Sequence, residues 1–167
     1  MKALSSALKL TESVVELKEL VAKWRESGET IVFTNGVFDI LHKGHLALLE
    51  KASQLGDRLI VAVNSDQSAR YLGKGPGRPI NDQYHRALLV AGMGVVDAVV
   101  IFDQPTPEEV IKEIQPDVLV KGADWQEDRI VGRQYARQVV RISLEEGYST
   151  TNLIEKILQN YNVGVQK

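Results

Sequence analysis

Two histidines three residues apart, His42 and His45, are the side chains of this sequence best suited to chemistry. The apolar run 31–33 precedes them and predicts a buried strand, and leucines at helical spacing follow them. The pair is therefore expected where a strand ends and a helix begins. Backbone N–H groups and the helix dipole favour an anion there, and Gly44 allows close approach. With Lys43 between them, the two imidazoles indicate a phosphate-binding turn.

The predicted elements show what must position this turn. Apolar runs predict strands at about 31–36, 58–63, 97–102, 117–121 and 138–142, with helical patterns between them. This alternation favours an α/β fold: a Rossmann-like, doubly wound parallel sheet of about five strands with helices on both faces. Such sheets bind ligands beyond the carboxyl ends of their strands. Asn64 and the stretch 122–125 follow two of these strands, so they are expected near the histidines.

A glycine-rich loop, Gly73-Lys74-Gly75-Pro76-Gly77-Arg78-Pro79, holds two cations away from regular structure. Such a loop can close over phosphates, although glycine and proline also mark ordinary exposed turns. It lacks the Gly-Lys-Ser/Thr ending of a Walker element. Arg86, on the next predicted helix, could also reach a phosphate.

A second helix start carries three hydroxyl residues, Ser149, Thr150 and Thr151. One of them is explained as an N-cap. Three in a row after Gly147 exceed what capping needs.

The segment before the first strand is predicted to be an amphipathic helix at about 11–27. We expect residues 1–28 to pack on the domain formed by residues 29–167 or on a second copy, giving a possible homodimer. At 167 residues and 44% hydrophobic composition, the chain suffices for one well-buried core.

Composition narrows the function classes. The formal net charge of −2 does not indicate a nucleic-acid-coating surface, and the sequence contains no cysteine. No signal peptide or membrane-spanning stretch is expected, so a soluble cytoplasmic protein is predicted. Asp39, His42 and His45 could in principle bind zinc, but no third histidine lies nearby and we predict no resident metal. Mg²⁺ is expected to arrive with a triphosphate.

The motifs resemble a known family. Asn35-Gly36-Val37-Phe38-Asp39 followed by His42-Lys43-Gly44-His45 resembles the signature of the cytidylyltransferase-like nucleotidyltransferases, whose HxGH element binds a nucleotide triphosphate. Four further blocks resemble, in order, the adenylyltransferase half of bacterial ADP-heptose synthases. They are 56–66, 74–81, 116–125 and 147–154.

The resemblance implies a role for each matched residue. Catalytic roles fall on His42, His45 and Lys74. Nucleotide-binding roles fall on Thr34, Asn35, Gly36, Phe38, Gly44, Arg86, Lys121, Gly122, Ser149, Thr150 and Thr151. Substrate-binding roles fall on Asp39, Asn64, Arg78, Asp124 and Trp125. Three roles stay open for Asp39: it could orient a histidine, meet the substrate or bond backbone amides of the turn.

The implied reaction moves AMP from ATP to a sugar 1-phosphate, most closely D-glycero-β-D-manno-heptose 1-phosphate. The products would be pyrophosphate and ADP-heptose for surface glycans such as lipopolysaccharide, with a separate sugar kinase supplying the substrate. A CTP-dependent enzyme for a small phosphorylated alcohol is the alternative within the class. It is disfavoured by Glu145-Glu146, where some cytidylyltransferases carry a basic residue. A non-catalytic nucleotide-binding module is the alternative outside the class.

Overall fold

The computed structural model of the protein describes residues 9–73, 75–123, 126–143 and 147–161, without the side chain of Glu127. Its centre is a five-stranded sheet in the order β3-β2-β1-β4-β5, in which every pairing is parallel. The strands are β1 (Ile31–Gly36), β2 (Arg58–Asn64), β3 (Ala98–Phe102), β4 (Val118–Gly122) and β5 (Gln138–Ile142). The predicted fold class is confirmed.

Six α-helices are described around this sheet. They are α1 (Val14–Glu26), α2 (Lys43–Ser53), α3 (Asp66–Tyr71), α4 (Gln83–Ala91), α5 (Glu108–Ile114) and α6 (Thr150–Tyr161). The stretch 126–136, between β4 and β5, contains two single 3₁₀ turns, Glu127–Arg129 and Arg133–Tyr135. No helix in the described ranges is long and apolar enough to cross a bilayer.

The strands are apolar on both sides because helices cover both faces of the sheet. Successive residues of β1 alternate between the two cores, with Val32 on one side and Ile31 and Phe33 on the other. Helices α2 and α4 cover the first face, and α1 and α5 cover the second. Packing between the two layers of helices holds the strands in a fixed register, so the loops at the carboxyl ends of the strands start from fixed positions.

Helix α1 lies against its own domain. Leu17 and Val21 are fully buried in the core that α5 also covers. At the end of α1, Arg25 donates hydrogen bonds to the carbonyl oxygens of Ile114 and Gln115 at 2.9 and 2.5 Å. The buried apolar residues of α1 therefore pack within one chain. The homodimer stays a prediction.

Candidate functional site

A cavity of about 480 Å³ opens at the carboxyl ends of the strands. It lies at the point where the strand order reverses, since β1 has β2 on one side and β4 on the other. The starts of α2 and α6 also border this cavity. It is lined by predicted site residues from all of these elements: Thr34, Asn35, Gly36, Phe38, Asp39, His42, Gly44, His45, Asn64, Arg78, Lys121, Gly122, Ser149, Thr150 and Thr151.

The cavity opens because β1 and β4 separate towards their carboxyl ends. The β1–β2 ladder continues to Gly36, whereas the β1–β4 ladder stops at the pair of Phe33 with Leu119. Side chains bridge the gap beyond that pair. Thr34 Oγ1 donates to the Val120 carbonyl at 3.1 Å, and Lys121 Nζ donates to Asn35 Oδ1. These two bridges place a cation at the floor of the opening.

The two histidines lie together at the start of α2. Their rings stack, with 3.8 Å between centroids and 23° between planes. His42 is the N-cap residue, but its side chain makes no capping hydrogen bond. Its Nδ1 atom is buried and has no hydrogen-bond partner in the described part of the chain. The imidazole therefore keeps hydrogen-bonding capacity that the fold itself does not use.

Burial lowers the pKa of His42 below its ordinary value of 6.5. The cause is the loss of hydration, which disfavours the charged imidazolium. His42 is therefore neutral at neutral pH in the free protein. A neutral imidazole can still donate one hydrogen bond, and a neighbouring polyanion would raise its pKa again.

Gly44 permits the close approach of two elements. A Cβ atom at this position would lie 3.0 Å from His42 Nδ1 and 3.3 Å from Cβ of Tyr148. Across the same contact, Lys43 Nζ lies 5.2 Å from the ring centroid of Tyr148. A side chain at Gly44 would thus push the histidine turn away from the start of α6.

The turn before the histidines contains a residue with left-handed backbone geometry. Phe38 has φ of +50°, and its buried ring lies 5.2 Å from the ring of His45, centroid to centroid. A Cβ at Gly36 would come within 3.0 Å of the Phe38 ring. A positive φ costs a non-glycine residue about 1 kcal/mol or more, so the packing of this ring must hold the conformation in place.

Asp39 is only 2% exposed, and its carboxylate is fully engaged by the segment 78–81. Oδ2 accepts from Arg78 Nε at 2.6 Å, and Oδ1 accepts from the backbone amides of Ile80 and Asn81 at 2.7 and 3.1 Å. Sequence analysis left three roles open for Asp39. The observed contacts are nearest to the third role, hydrogen bonding to backbone amides, but these amides belong to the segment 78–81 rather than to the histidine turn. No described hydrogen bond joins Asp39 to a histidine.

Arg86 lies behind the cavity and is not among its lining residues. The side chain is 0% exposed and donates to the carbonyls of Val37 and Asn81 and to the Asp66 carboxylate. It therefore ties the histidine turn to the loop before α4 and to the start of α3. The sequence analysis predicted that Arg86 contacts a phosphate. In the structure its contacts are internal, and they stabilise the turn and loops behind the cavity.

At α6, Ser149 acts as the cap, since its Oγ accepts from the Asn152 amide at 3.0 Å. Thr150 Oγ1 lies 3.5 Å from the Ile40 carbonyl, which is a weak contact at most. Thr151 is exposed at the cavity. The amino ends of α2 and α6 thus face the same space, and both dipoles favour an anion there.

Three predicted site residues, Lys74, Asp124 and Trp125, lie outside the described residues. The structure also adds lining residues that were missed: Val37, Leu48, Leu72, Pro105, Thr106, Pro107, Val131 and Tyr148. The segment 105–107 follows β3 at the carboxyl edge, so the rule that drew attention to Asn64 could have found it.

With this geometry established, comparisons with known proteins are informative. Residues 33–156 match the family model described as cytidylyltransferase-like. The bifunctional protein HldE of Helicobacter hepaticus is 58% identical over 127 residues, which is 76% of this chain and 26% of that protein. HldE of Koribacter versatilis is 52% identical over 145 residues, which is 84% of this chain and 30% of that protein. The chain therefore spans less than a third of these relatives.

A solved structure is also similar. The lipopolysaccharide core biosynthesis protein from Thermoplasma volcanium superposes with a TM-score of 0.62 at 33% identity, covering 71% of this chain and all of that one. The matched span of the family model begins in β1, ends in α6 and includes every described residue that lines the cavity. On these grounds the chain belongs to the cytidylyltransferase-like family of nucleotidyltransferases.

Proposed function

We propose that this chain transfers AMP from ATP to the phosphate of a sugar 1-phosphate, most closely D-glycero-β-D-manno-heptose 1-phosphate. The products are ADP-heptose and pyrophosphate. The observation that carries the proposal is the stacked pair His42 and His45 at the start of α2, facing the start of α6 across one cavity. The choice of ATP and of the heptose is supported by the similarity to HldE proteins and to the adenylyltransferase blocks.

The chemistry of the reaction fits the side chains that the cavity offers. An oxygen of the sugar phosphate attacks the α-phosphorus of ATP, and the bond from that phosphorus to the bridging oxygen of the β-phosphate breaks. Pyrophosphate leaves with the bonding electrons. The attacking oxygen is already anionic near neutral pH, so the step needs no general base. This agrees with a cavity in which the buried carboxylate of Asp39 is committed to Arg78 and two amides.

The main requirement is to hold two anions together and to neutralise charge as pyrophosphate departs. His42 and His45 donate to the triphosphate beside the α2 dipole, and Ser149 to Thr151 meet it from the α6 side. Lys121 sits at the gap between β1 and β4, where it can face the nucleotide. Arg78 faces the sugar phosphate, and Lys74 is proposed from the sequence as a further catalytic cation.

Mg²⁺ is proposed to enter as its complex with ATP. No cluster of three potential side-chain ligands is found among the described residues, so phosphate oxygens and water would supply most of its ligands. When bound, the ion neutralises part of the triphosphate charge. The residues lining the cavity fit this arrangement, because they offer donors to phosphate oxygens rather than carboxylates to a metal.

A pyrophosphate-release assay tests the proposal. ATP and CTP are each combined with heptose 1-phosphate, glucose 1-phosphate and glycerol 3-phosphate, and kcat/KM is measured for every pair. We expect ATP with the heptose phosphate to be the best pair. Equal or better use of CTP would favour the cytidylyltransferase alternative. Nucleotide binding without pyrophosphate release from any pair would favour a regulatory module.

The proposal also has consequences for partners. The sugar 1-phosphate must be made by a kinase, and we propose that this kinase activity is separate from the nucleotidyltransferase domain. A homodimer is proposed from the amphipathic N-terminal segment alone. Light scattering over a wide concentration range tests it, and a monomer throughout would reject it.

A further inference from the structure

We infer that Asn64 and Thr106 form a neutral wall that recognises hydroxyl groups of the acceptor sugar and so sets acceptor specificity. The inference rests on the proposed function, because it assigns the sugar-binding side of the same cavity. The family resemblance gave Asn64 a substrate-binding role without naming the group it meets, and it gave Thr106 no role; the inference adds Thr106 and assigns both residues to sugar hydroxyls.

The position of these residues follows from the sheet. Asn64 ends β2 and pairs in register with Phe102, which ends β3. The Ser65 amide donates to the Phe102 carbonyl at 2.9 Å, so the two strand ends stay together. The chain after β3 then passes the cavity at Pro105, Thr106 and Pro107. In the strand order, this side lies across β1 from β4.

The two sides of the cavity differ in charge. The start of α2 and the end of β4 contribute His42, His45 and the cation Lys121, which form the charged side, whereas the end of β2 and the loop after β3 present the uncharged Asn64 and Thr106. Imidazole and ammonium donors suit phosphate oxygens. An amide oxygen and a hydroxyl suit sugar hydroxyls, which both donate and accept hydrogen bonds. A nucleotide that occupies the charged side leaves the neutral side to the acceptor.

A chain of hydrogen bonds fixes the orientation of the Asn64 amide. Ser68 Oγ donates its single proton to the Gln104 carbonyl at 2.6 Å, so it can only accept from Asn64. Asn64 Nδ2 therefore faces Ser68, at 2.8 Å. Its Oδ1 accepts no hydrogen bond from the described residues. Asn64 thus keeps one oriented acceptor at the cavity.

The same chain of hydrogen bonds steadies Thr106. The Gln104 carbonyl is held by Ser68, and prolines on both sides of Thr106 restrict the backbone. Pro107 occupies the N-cap position of α5, which fixes the end of the loop. Thr106 is exposed and lines the cavity. Because its backbone is already restricted, little conformational entropy would be lost when it binds a ligand.

Arg78 provides the matching site for the acceptor phosphate. Its Nε is bound to Asp39, while its terminal nitrogens make no hydrogen bond to the described residues. The Asp39 contact therefore fixes the guanidinium and leaves its outer edge for a phosphate. An acceptor held by Arg78 at its phosphate and by Asn64 and Thr106 at its hydroxyls would present a fixed oxygen to ATP.

The test uses Thr106→Val and Asn64→Leu, with Thr30→Val as a matched control at the opposite end of β1. We expect Thr106→Val to raise KM for the sugar 1-phosphate by about three- to tenfold, the loss of one neutral hydrogen bond, and Asn64→Leu to raise it at least as much. KM for ATP should stay unchanged in both variants. Thr30→Val should leave both constants unchanged. Tm is measured for each variant to confirm the fold.

Deoxy analogues of the acceptor give the sharper readout. Each sugar hydroxyl is removed in turn, and kcat/KM is measured for native protein and for Thr106→Val. The analogue that lacks the partner of Thr106 should be a poorer substrate for native protein and should show no further loss with the variant. A structural role alone would not couple to a single hydroxyl.

The outcomes separate the two proposals. If none of the sugar phosphates tested makes native protein release pyrophosphate from ATP, the proposed function fails and this inference fails with it. If native protein is active but both variants change KM for ATP and acceptor equally, or no deoxy analogue couples to Thr106, the wall is overturned and the proposed function stands.

Discussion

The amino and carboxyl edges of the sheet use their charged side chains differently. At the amino edge an aspartate directly precedes each of β2, β3 and β4, and each carboxylate accepts a hydrogen bond from a backbone amide at the start of the neighbouring strand. Asp57 bonds the Thr30 amide at 2.8 Å, Asp97 the Leu59 amide at 2.8 Å, and Asp117 the Ile31 amide at 2.9 Å. These aspartates join the strand pairs β1–β2, β2–β3 and β1–β4.

Arg58 adds an ion-pair network at the amino edge. It bonds Glu29 at 2.5 and 2.9 Å and Asp97 at 3.2 Å. The hydrogen bond from Arg58 lowers the pKa of Glu29, which keeps that carboxylate charged. The charges here are matched within the protein and serve to hold strands in register.

At the carboxyl edge of the sheet, some polar side chains have hydrogen-bonding groups that the fold does not use. His42 Nδ1 and the terminal nitrogens of Arg78 have no hydrogen-bond partners among the described residues. Asp39 is satisfied, but it uses only one edge of the Arg78 guanidinium. The contrast teaches that polar density alone does not mark the site. Oriented hydrogen-bonding groups that the fold leaves unused do so.

The largest expected effect tests the charged side of the cavity directly. We expect His42→Ala and His45→Ala each to reduce kcat by roughly 10²- to 10⁴-fold, because their hydrogen bonds strengthen as charge moves to pyrophosphate. His85→Ala is the matched control, since His85 is exposed on α4. Steady-state kinetics measures the effect, and circular dichroism checks the fold. Native-like turnover in either cavity variant would remove the central assignment.

A matched pair of arginine substitutions sharpens the comparison between the edges. Arg78→Lys should reduce kcat/KM for the sugar phosphate by roughly 10- to 100-fold, because an ammonium lacks the planar fork with which the guanidinium holds Asp39 through Nε and presents its terminal nitrogens to a phosphate. Arg58→Lys makes the same change at the amino edge and should leave kcat/KM unchanged. Equal losses in both variants would show that the Arg78 effect is structural.

The reverse experiment removes a strand-joining carboxylate. Asp97→Ala leaves the Leu59 amide without its acceptor, and we expect the free energy of unfolding to fall by about 1–3 kcal/mol. Urea denaturation measures this loss. Asp128 is exposed, so Asp128→Ala serves as the control and should change the free energy of unfolding little. Asp97→Ala should keep native kcat at a temperature where it remains folded, so a large loss of activity would contradict the division between the edges.

The fold and much of the cavity could be predicted from the sequence because their signals are local. Apolar runs indicated the strands, and His42 and His45 could be placed at the edge because a strand pattern ends just before them. The aspartates before β2, β3 and β4 were missed, since their partners are backbone amides distant in sequence. The same limit applies to Asp39, whose partners lie about forty residues away in the segment 78–81.

Arg86 shows a different limit. A basic residue that matches a family position suggested a phosphate contact, yet three internal acceptors surround its buried side chain. Sequence patterns do not show whether an arginine points into a cavity or behind its wall. Thr106 shows the converse, since a proline-flanked threonine has no distinctive motif and becomes notable only where β3 ends beside Asn64.

The smallest expected effect concerns one proton at the charged side of the cavity. Burial lowers the pKa of His42, so the free protein holds this imidazole neutral at neutral pH. A bound triphosphate would stabilise the imidazolium and raise that pKa. ATP binding should therefore take up a fraction of a proton at a pH between the free and bound pKa values. Affinity for ATP should rise as pH falls through the bound pKa and level off below the free pKa.

Isothermal titration calorimetry measures this uptake, because the apparent binding enthalpy then depends on the ionisation enthalpy of the buffer. The γ-phosphate of ATP also titrates in this range, so the informative quantity is the difference between native protein and His42→Asn. His45 stacks on His42, and His45→Asn shows whether the neighbouring ring contributes. Uptake that is the same in native protein and His42→Asn would mean that His42 keeps its neutral form in the complex. It would then act as a neutral donor, and the charge compensation at this side would fall to Lys121, the helix dipoles and Mg²⁺.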